Sequence, residues 1–340
     1  MVKKILKVIG IILLILVILV AIAITSGYFY LNSKLSKMQQ VVINEENLDV
    51  AEEVEQNLSG YRNIALFGVD SRDSSLGRGN RSDCIIIASI NNDTKEVKLV
   101  SVYRDTYVDI EGYGLDKITH AYSYGGPELA LKTLNKNLDL NVTEFVTVNF
   151  DSVADAVDAL GGVEINVTEA ELYYINSGIR DTASHIGKEA NLVTEAGVQT
   201  LDGVQAVAYS RIRQTSGGDY KRTERMRTVI EAMFQKMKTK SIGEINDLAD
   251  DILPEVLTSL EPSEIFAMIP YALNYKITDS IGWPYEVQGY SGVAWYAAPV
   301  TLEENVKQLH LEAFGEEDYI VSNTVKEISE EIINKTGYDN

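Results

Sequence analysis

Arginine and aspartate recur together at a few short places in this chain. Nine of its 11 arginines fall in three stretches: Arg72, Arg78 and Arg81; then Arg104; then Arg211, Arg213, Arg222, Arg225 and Arg227. None lies beyond Arg227. The planar guanidinium fork binds phosphate oxygens bidentately and stays charged. Carboxylates occupy the same places, at Asp70, Asp73, Asp83, Asp105 and Asp219. Aspartates set among arginines suit a hard divalent cation, Mg²⁺ or Mn²⁺. Mg²⁺ takes one or two carboxylates, keeps several waters and bridges phosphate oxygens. The spacing fits equally a set of aspartates that merely pair with the arginines.

Any one of these arginines reads as an ordinary surface ion pair. As a set they sit at strand ends, where loops gather functional groups. Other chemistries lack their parts. His120, His185 and His310 are too far apart for metal-ligand spacing and have no serine motif beside them. Cys84 opens an apolar run and reads as a buried small residue. Gly77-Arg78-Gly79 is too short for a nucleotide-binding glycine loop.

Among 340 residues, 30 Lys and Arg stand against 50 Asp and Glu, giving a formal charge of −20. That charge excludes nucleic acid gripped over a broad face, which needs a basic surface to displace counterions. One cysteine excludes an intramolecular disulfide framework.

Short apolar runs predict the elements that position these groups. Strands are expected at Asn63–Val69, Cys84–Ile90 and Val97–Val102, the last two as a hairpin around Asn91-Asn92-Asp93. Helical spacing covers Gly125–Leu138. A strand follows at Phe145–Phe150, then a helix capped by Asp151 and stopped by Gly161-Gly162, then a strand at Val163–Val167. Helices are expected over Leu201–Ile212, Asp219–Lys238, Ile242–Leu260, Pro262–Leu273 and Asn323–Lys335, with strands within Asp279–Pro299. The fold class is α/β: a central mixed β-sheet with helices packed on both faces. Residues 61–240 form the expected catalytic domain, and 241–340 an acidic part packed on it or extending it. Residues 36–60 read as a juxtamembrane linker, with Gln39–Gly60 as a helix or linker leading away from the membrane.

No charged residue lies between Lys7 and Lys34, and Val8–Ile24 is almost wholly aliphatic. About 20 apolar residues span a bilayer, so residues 1–35 are expected to carry one N-terminal transmembrane helix. Tyr28, Phe29 and Tyr30 stand where an interfacial aromatic belt would lie. A cleaved signal peptide is the alternative, since Ala21-Ile22-Ala23 has the small-x-small form. Lys3, Lys4 and Lys7 keep the N-terminus cytoplasmic and put the remainder outside.

Five motifs occur in one order: Gly68-Val69-Asp70-Ser71-Arg72, Arg81-Ser82-Asp83, Ser101-Val102-Tyr103-Arg104-Asp105, Tyr209-Ser210-Arg211-Ile212-Arg213 and Asp219-Tyr220-Lys221-Arg222. Asp158-Ala159-Leu160-Gly161-Gly162-Val163 lies between them. Together they resemble the LytR-CpsA-Psr family of bacterial cell-wall proteins. The resemblance is dense from Tyr61 to Met237 and looser beyond.

The resemblance implies an enzyme that takes a polyprenyl-pyrophosphate-linked glycan and transfers the glycan phosphate onto peptidoglycan. Teichoic acid and capsule are attached to the wall in this way. Carried over by motif, Asp70 and Asp83 would hold Mg²⁺, and Arg81, Arg104, Arg211, Arg213 and Arg222 would clamp the pyrophosphate. Asp219 would orient or deprotonate the acceptor hydroxyl, with Asp105 and Asp83 as alternatives. Tyr103 stands where the family usually has proline, and Met226 where glutamine is common. The lipid tail needs a dry groove, for which Val229, Ile230, Met233 and Phe234 offer either a lining or plain core. A hydrolase of the same lipid, or a binding module without turnover, would use the same charges.

Overall fold

Apolar side chains running unbroken along a strand demand two buried faces, and the chain supplies both. The computed structural model describes residues 27, 29–71, 75–271 and 273–339. The expected membrane segment Val8–Ile24, Tyr28, Arg72 and Asp73 lie outside them. Among the described residues no helix is long and apolar enough to cross a membrane.

The first elements are β1 (Gln39–Gln40), α1 (Glu52–Asn57), β2 (Tyr61–Val69), β3 (Ser82–Asn91) and β4 (Glu96–Val102). A hairpin, β5 (Tyr107–Ile110) and β6 (Gly114–Lys117), leads into α2 (Ile118–Leu138). Then come β7 (Glu144–Asn149), α3 (Phe150–Ala159), β8 (Val163–Val167), α4 (Glu169–Ile186) and β9 (Gly197–Leu201). Helices α5 (Gly203–Ser210), α6 (Gly218–Met237) and α7 (Ile242–Ile252) precede β10 (Leu257–Thr258) and α8 (Pro262–Met268). The chain closes with β11 (Lys276–Trp283), β12 (Val287–Ser291), β13 (Trp295–Pro299), α9 (Leu302–Phe314) and α10 (Asn323–Thr336).

The central sheet has seven strands in the order β1-β10-β7-β2-β3-β4-β11. It is mixed: β2 runs antiparallel to β3 but parallel to β7, and β11 runs parallel to β4. Along β2, Ala65, Phe67 and Val69 enter a core shared with Tyr122 and Leu131 of α2, Leu309 of α9 and Ile332 of α10. Ile64, with Ile86 and Leu99 of the neighbouring strands, meets Ile230 of α6 and Met268 of α8 instead. A third cluster joins the β8–β9 hairpin to α3, α4, α5 and α6.

Several expectations are corrected. Leu48 and Leu58 are fully buried, and Val54 nearly so, in the same core as Phe67. The stretch before Tyr61 is thus folded structure rather than a bare linker. Asn149, not Asp151, caps α3, its side chain accepting from the Ser152 amide at 2.8 Å. Strand β8 leaves the central sheet and pairs with β9. Helix α2 starts at Ile118, ahead of the expected Gly125, and kinks at Gly126. Helix α7 stops at Ile252, because Pro254 removes a backbone donor, and residues expected to be helical instead form β10. Elements α4, α9, β5, β6 and β9 had no counterpart in the expectations. Residues past Met237 give the sheet β10 and β11, and Trp283 among them is completely buried.

Burial of the segment before Tyr61 is testable by denaturation. Leu58→Ala is expected to cost about 2–5 kcal/mol, the usual range for a buried leucine. Exposed Glu53→Ala should stay within about 0.5 kcal/mol. Equal urea midpoints for both variants would mean the segment is not part of the core.

Candidate active site

The first two strand ends converge because β2 and β3 pair through to Gly68 opposite Cys84, and the register then slips so that Val69 faces Ser82. Such a bulge re-aims the side chains beyond it. A Cβ on Gly68 would stand 2.8 Å from the Cys84 Cβ, so only glycine permits this approach. Just past the bulge the Asp70 amide donates to the Arg81 carbonyl at 3.3 Å, which brings Asp70, Arg81 and Asp83 to one rim.

Arg104 sits on a turn after β4 that is held from four directions. The Tyr103 amide donates to the Trp283 carbonyl at 2.9 Å, and the Thr106 amide donates to the Tyr103 carbonyl at 3.0 Å. Ala297 donates to the Asp105 carbonyl at 2.9 Å, and Thr119 to the Arg104 carbonyl at 3.1 Å. Tyr103 therefore leaves the turn fixed by strands of the C-terminal part. Arg211 closes α5, and Ile212 beside it is buried, which turns Arg211 and Arg213 outward. Asp219 and Arg222 stand in the first turns of α6.

Asp83 is the hub. Its Oδ1 accepts from Arg104 Nη1 at 2.6 Å, while Oδ2 lies 3.7 Å from Arg213 Nη2 and 3.8 Å from Arg222 Nη1. Asp219 lies 3.1 Å from Arg222 Nη2 and 3.4 Å from Arg213 Nε. Asp105 receives Lys117 Nζ at 2.8 Å and lies 3.6 Å from Arg104 Nε. Burial lowers the Arg222 pKa from its ordinary value, with Arg213 and Arg104 adding to the effect against Asp219 and Asp83. Burial also opposes the Arg104 charge, but Asp83 and Asp105 outweigh it and raise that pKa. Arg222 Nε and Arg104 Nε are buried without a hydrogen-bond partner among the described residues.

These groups surround a cavity of about 460 Å³ whose lining includes Asp70, Arg81, Asp83, Arg104, Arg211, Arg213 and Arg222. Asp219 borders it through its contacts to Arg213 and Arg222. The Arg211 guanidinium lies 5.2 Å from the centre of the Phe150 ring and forms no ion pair among the described residues. Helix α4 adds Tyr174, Asp181 and Thr182, and α6 adds Met226. None of these four was expected. The signal for α4 was present, as the capping pair Thr168 and Glu171 followed by Leu172, Ile175 and Ile179 at helical spacing.

Other expected members stay away. Arg78 is exposed on the loop before β3 and does not line the cavity. Arg225 is buried and braces α6 to α4, with Nε 2.7 Å from Glu171 Oε1 and Nη1 donating to the Ile212 carbonyl at 3.0 Å. Arg227 is buried on α6, and burial lowers its pKa. Val229, Ile230 and Met233 pack into the core and line no part of this cavity. His120 bonds Asp116 at 2.9 Å, and buried His310 bonds Glu316 at 2.7 Å. Burial drives the Cys84 thiol up to about 12.

Among the described residues no group of three or more His, Cys, Asp or Glu is placed to hold a metal. Asp70 and Asp83 nevertheless offer hard oxygen donors on one cavity wall. Asp70 has no ion pair among the described residues, and Asp83 Oδ2 is beyond hydrogen-bond distance of its arginines. That donor set fits Mg²⁺ or Mn²⁺ completed by water and phosphate oxygens.

Residues 25–309 match the LytR_cpsA_psr family. The chain belongs to that family. A relative from Oceanobacillus iheyensis, the polyisoprenyl-teichoic acid–peptidoglycan teichoic acid transferase TagU, is 32% identical over 265 residues, covering 74% of this chain and 75% of its own. The crystal structure of a Streptococcus agalactiae protein matches with a TM-score of 0.66 at 25% identity, covering 81% of this chain and 94% of that one. A structure of the family protein TagT with bound octaprenyl pyrophosphate lipid shares the fold, with a TM-score of 0.56 at 22% identity, covering 88% and 100% of the two chains.

The Glu171–Arg225 pair that fixes α6 against α4 carries a pH signature. Burial opposes the Glu171 charge, but bonds from Thr168 and Arg225 prevail and lower its pKa. A depressed carboxylate pKa stabilises the fold above the unfolded value, and that stability is lost as pH falls through the folded value. Glu171→Gln is expected to flatten the acid limb of a stability-versus-pH curve and to leave the alkaline limb alone. An unchanged acid limb would remove Glu171 from the brace.

Proposed function

We propose that this protein moves a glycopolymer phosphate from a polyprenyl-pyrophosphate carrier onto peptidoglycan. The observation that carries the reading is the arginine cavity itself. Five arginines line one cavity of a chain whose net charge is −20. The TagU relative, named as a teichoic acid transferase, agrees with it.

The reaction needs a hydroxyl brought in line with one phosphorus of the pyrophosphate. The acceptor oxygen forms a new P–O bond, the bridging P–O bond breaks, and the electron pair leaves on polyprenyl phosphate. Arg81, Arg104, Arg211, Arg213 and Arg222 would hold the phosphate oxygens and offset the charge that builds on the leaving group. Asp70 and Asp83 would hold Mg²⁺ or Mn²⁺, which supplies Lewis-acid neutralisation of phosphate charge when bound.

The hydroxyl proton needs an acceptor, and contacts favour Asp219. Asp83 is bonded to Arg104 and flanked by two further guanidiniums, and Asp105 is tied to Lys117. Asp219 has longer contacts, at 3.1 and 3.4 Å, and its side chain is 30% exposed against 14% for Asp83. We further infer that the Val8–Ile24 stretch anchors the chain with its N-terminus cytoplasmic and its catalytic part outside. The unbroken apolar run behind Lys3, Lys4 and Lys7 supports that reading.

The test uses the full chain in detergent with a polyprenyl-pyrophosphate sugar, an uncrosslinked peptidoglycan oligomer and Mg²⁺, read by mass spectrometry. A glycan–phosphate–peptidoglycan adduct is expected, lost with a chelator and restored by Mg²⁺ or Mn²⁺. Arg211→Ala should slow transfer by about 10²–10³-fold while stability moves by no more than about 0.5 kcal/mol, since Arg211 pairs with no acid among the described residues. Lipid phosphate release without adduct would make the protein a hydrolase. Tight lipid retention without turnover would make it a binding module.

A further inference from the structure

A second cavity, of about 620 Å³, is lined in part by Tyr103 and Tyr220. Tyr103 immediately precedes Arg104, and Tyr220 immediately follows Asp219. The two rings meet edge to face with centroids 4.5 Å apart. Tyr285, Glu286 and Gln288 complete the opposite wall. The volume falls within the range of small-ligand sites.

This cleft is built and rigid. Gly282 of β11 makes room for Tyr103, because a Cβ there would stand 2.1 Å from the Tyr103 hydroxyl. The backbone of Tyr285 and Glu286 is pinned from behind, both amides donating to buried Asn305 Oδ1, at 2.7 and 3.0 Å. Gln288 and Glu286 are exposed and offer polar groups to the cleft, and Tyr220 is 38% exposed.

The chemistry of the lining selects its ligand. No arginine or lysine lines this cavity, and Glu286 does, so it repels the anionic phosphate end that the neighbouring site attracts. Flat aromatic bodies beside an amide and a carboxylate suit a neutral saccharide, which presents apolar ring faces and a rim of hydroxyls. Tyr220 also ties the cleft to the reacting centre: burial raises its pKa, and the Asp219 and Asp105 charges, with Tyr103, add to the rise.

Resting on the transferase reading above, we propose that the Tyr103–Tyr220–Tyr285 cleft binds the neutral sugar chain of the acceptor and delivers its hydroxyl past Tyr220 to Asp219. The donor phosphate and the acceptor glycan then occupy separate cavities with Asp219 at their border. Tyr103 supplies part of the sugar platform.

Calorimetric titration of the full chain in detergent with an N-acetylglucosamine tetramer tests this. Wild type is expected to bind it, and Tyr220→Ala and Gln288→Ala each to weaken binding by about tenfold or more, as truncation of an interface anchor does. Arg211→Ala should keep the saccharide affinity and lose retention of a polyprenyl pyrophosphate, so the two sites fail independently. Gln288 is an exposed strand residue, so its variant remains informative even where Tyr220→Ala does not fold. Absence of binding in wild type, equal affinity in both cleft variants, or preference for a free stem peptide would overturn the proposal. Loss of pyrophosphate retention in wild type would instead sink the transferase reading and leave the saccharide result standing.

Discussion

A single carboxylate stands between three guanidiniums, and the catalytic end of the sheet is arranged around it. Asp83 touches Arg104 and lies within 3.8 Å of Arg213 and Arg222. Unit charges about 4 Å apart interact by roughly 4 kcal/mol at the effective dielectric of a protein surface, so three arginines gathered without an anion would repel strongly. Arg222 is the most constrained of them, at 1% exposed with its Nε unpartnered. Removing one member of such a buried set typically destabilises more than the pair itself is worth. Asp83 shares the task of offsetting that repulsion with Asp219, beside Arg222 and Arg213, and with Asp105, beside Arg104. The excess lies in Arg81 and Arg211, which line the cavity and form no ion pair among the described residues, and on the proposed reading it would meet the donor phosphate.

Everything nearby serves to hold that excess in place. The β2–β3 slip sets Asp83 beside Asp70, the buried Glu171–Arg225 pair fixes the helix that carries Asp219 and Arg222, and the turn carrying Arg104 is bonded into β11 and β13. The strands do not touch substrate through their middles. They present their ends, where backbone pairing stops and side chains become available.

Much of this was legible in the sequence, for identifiable reasons. Strands β2, β3, β4 and β7 announce themselves because both faces are buried and their apolar runs are continuous. All five arginines of the cavity lie among the clustered arginines of this acidic chain, but it was the family motifs that set them apart from the other members of the clusters. Arg225 and Arg227 share that clustering and yet stay out of the cavity lining: Arg225 bonds Glu171 of α4, and Arg227 is buried on α6. Helix α4 escaped because its cap and its apolar stripe are separated from any motif. The segment before Tyr61 and strand β10 escaped because acidic composition hides a few buried positions, Leu48, Leu58 and Leu257 among them. Long-range pairing, such as β11 beside β4, leaves no local trace at all.

That last pairing fixes when the site can exist. Gly282 lies beside Ser101 in the sheet, although the chain makes β4 long before β11. Non-local strand pairs carry a large loop-closure cost and form slowly. A chain synthesised from its N-terminus can complete the β2–β3–β4 meander, with Asp83 and Arg104 already present, while the Trp283 carbonyl that braces the Arg104 turn is still unmade. Through that interval the charges are gathered but not aimed. Catalytic geometry is thus a property of the finished polypeptide, and a nascent or clipped chain carries the motifs without the alignment.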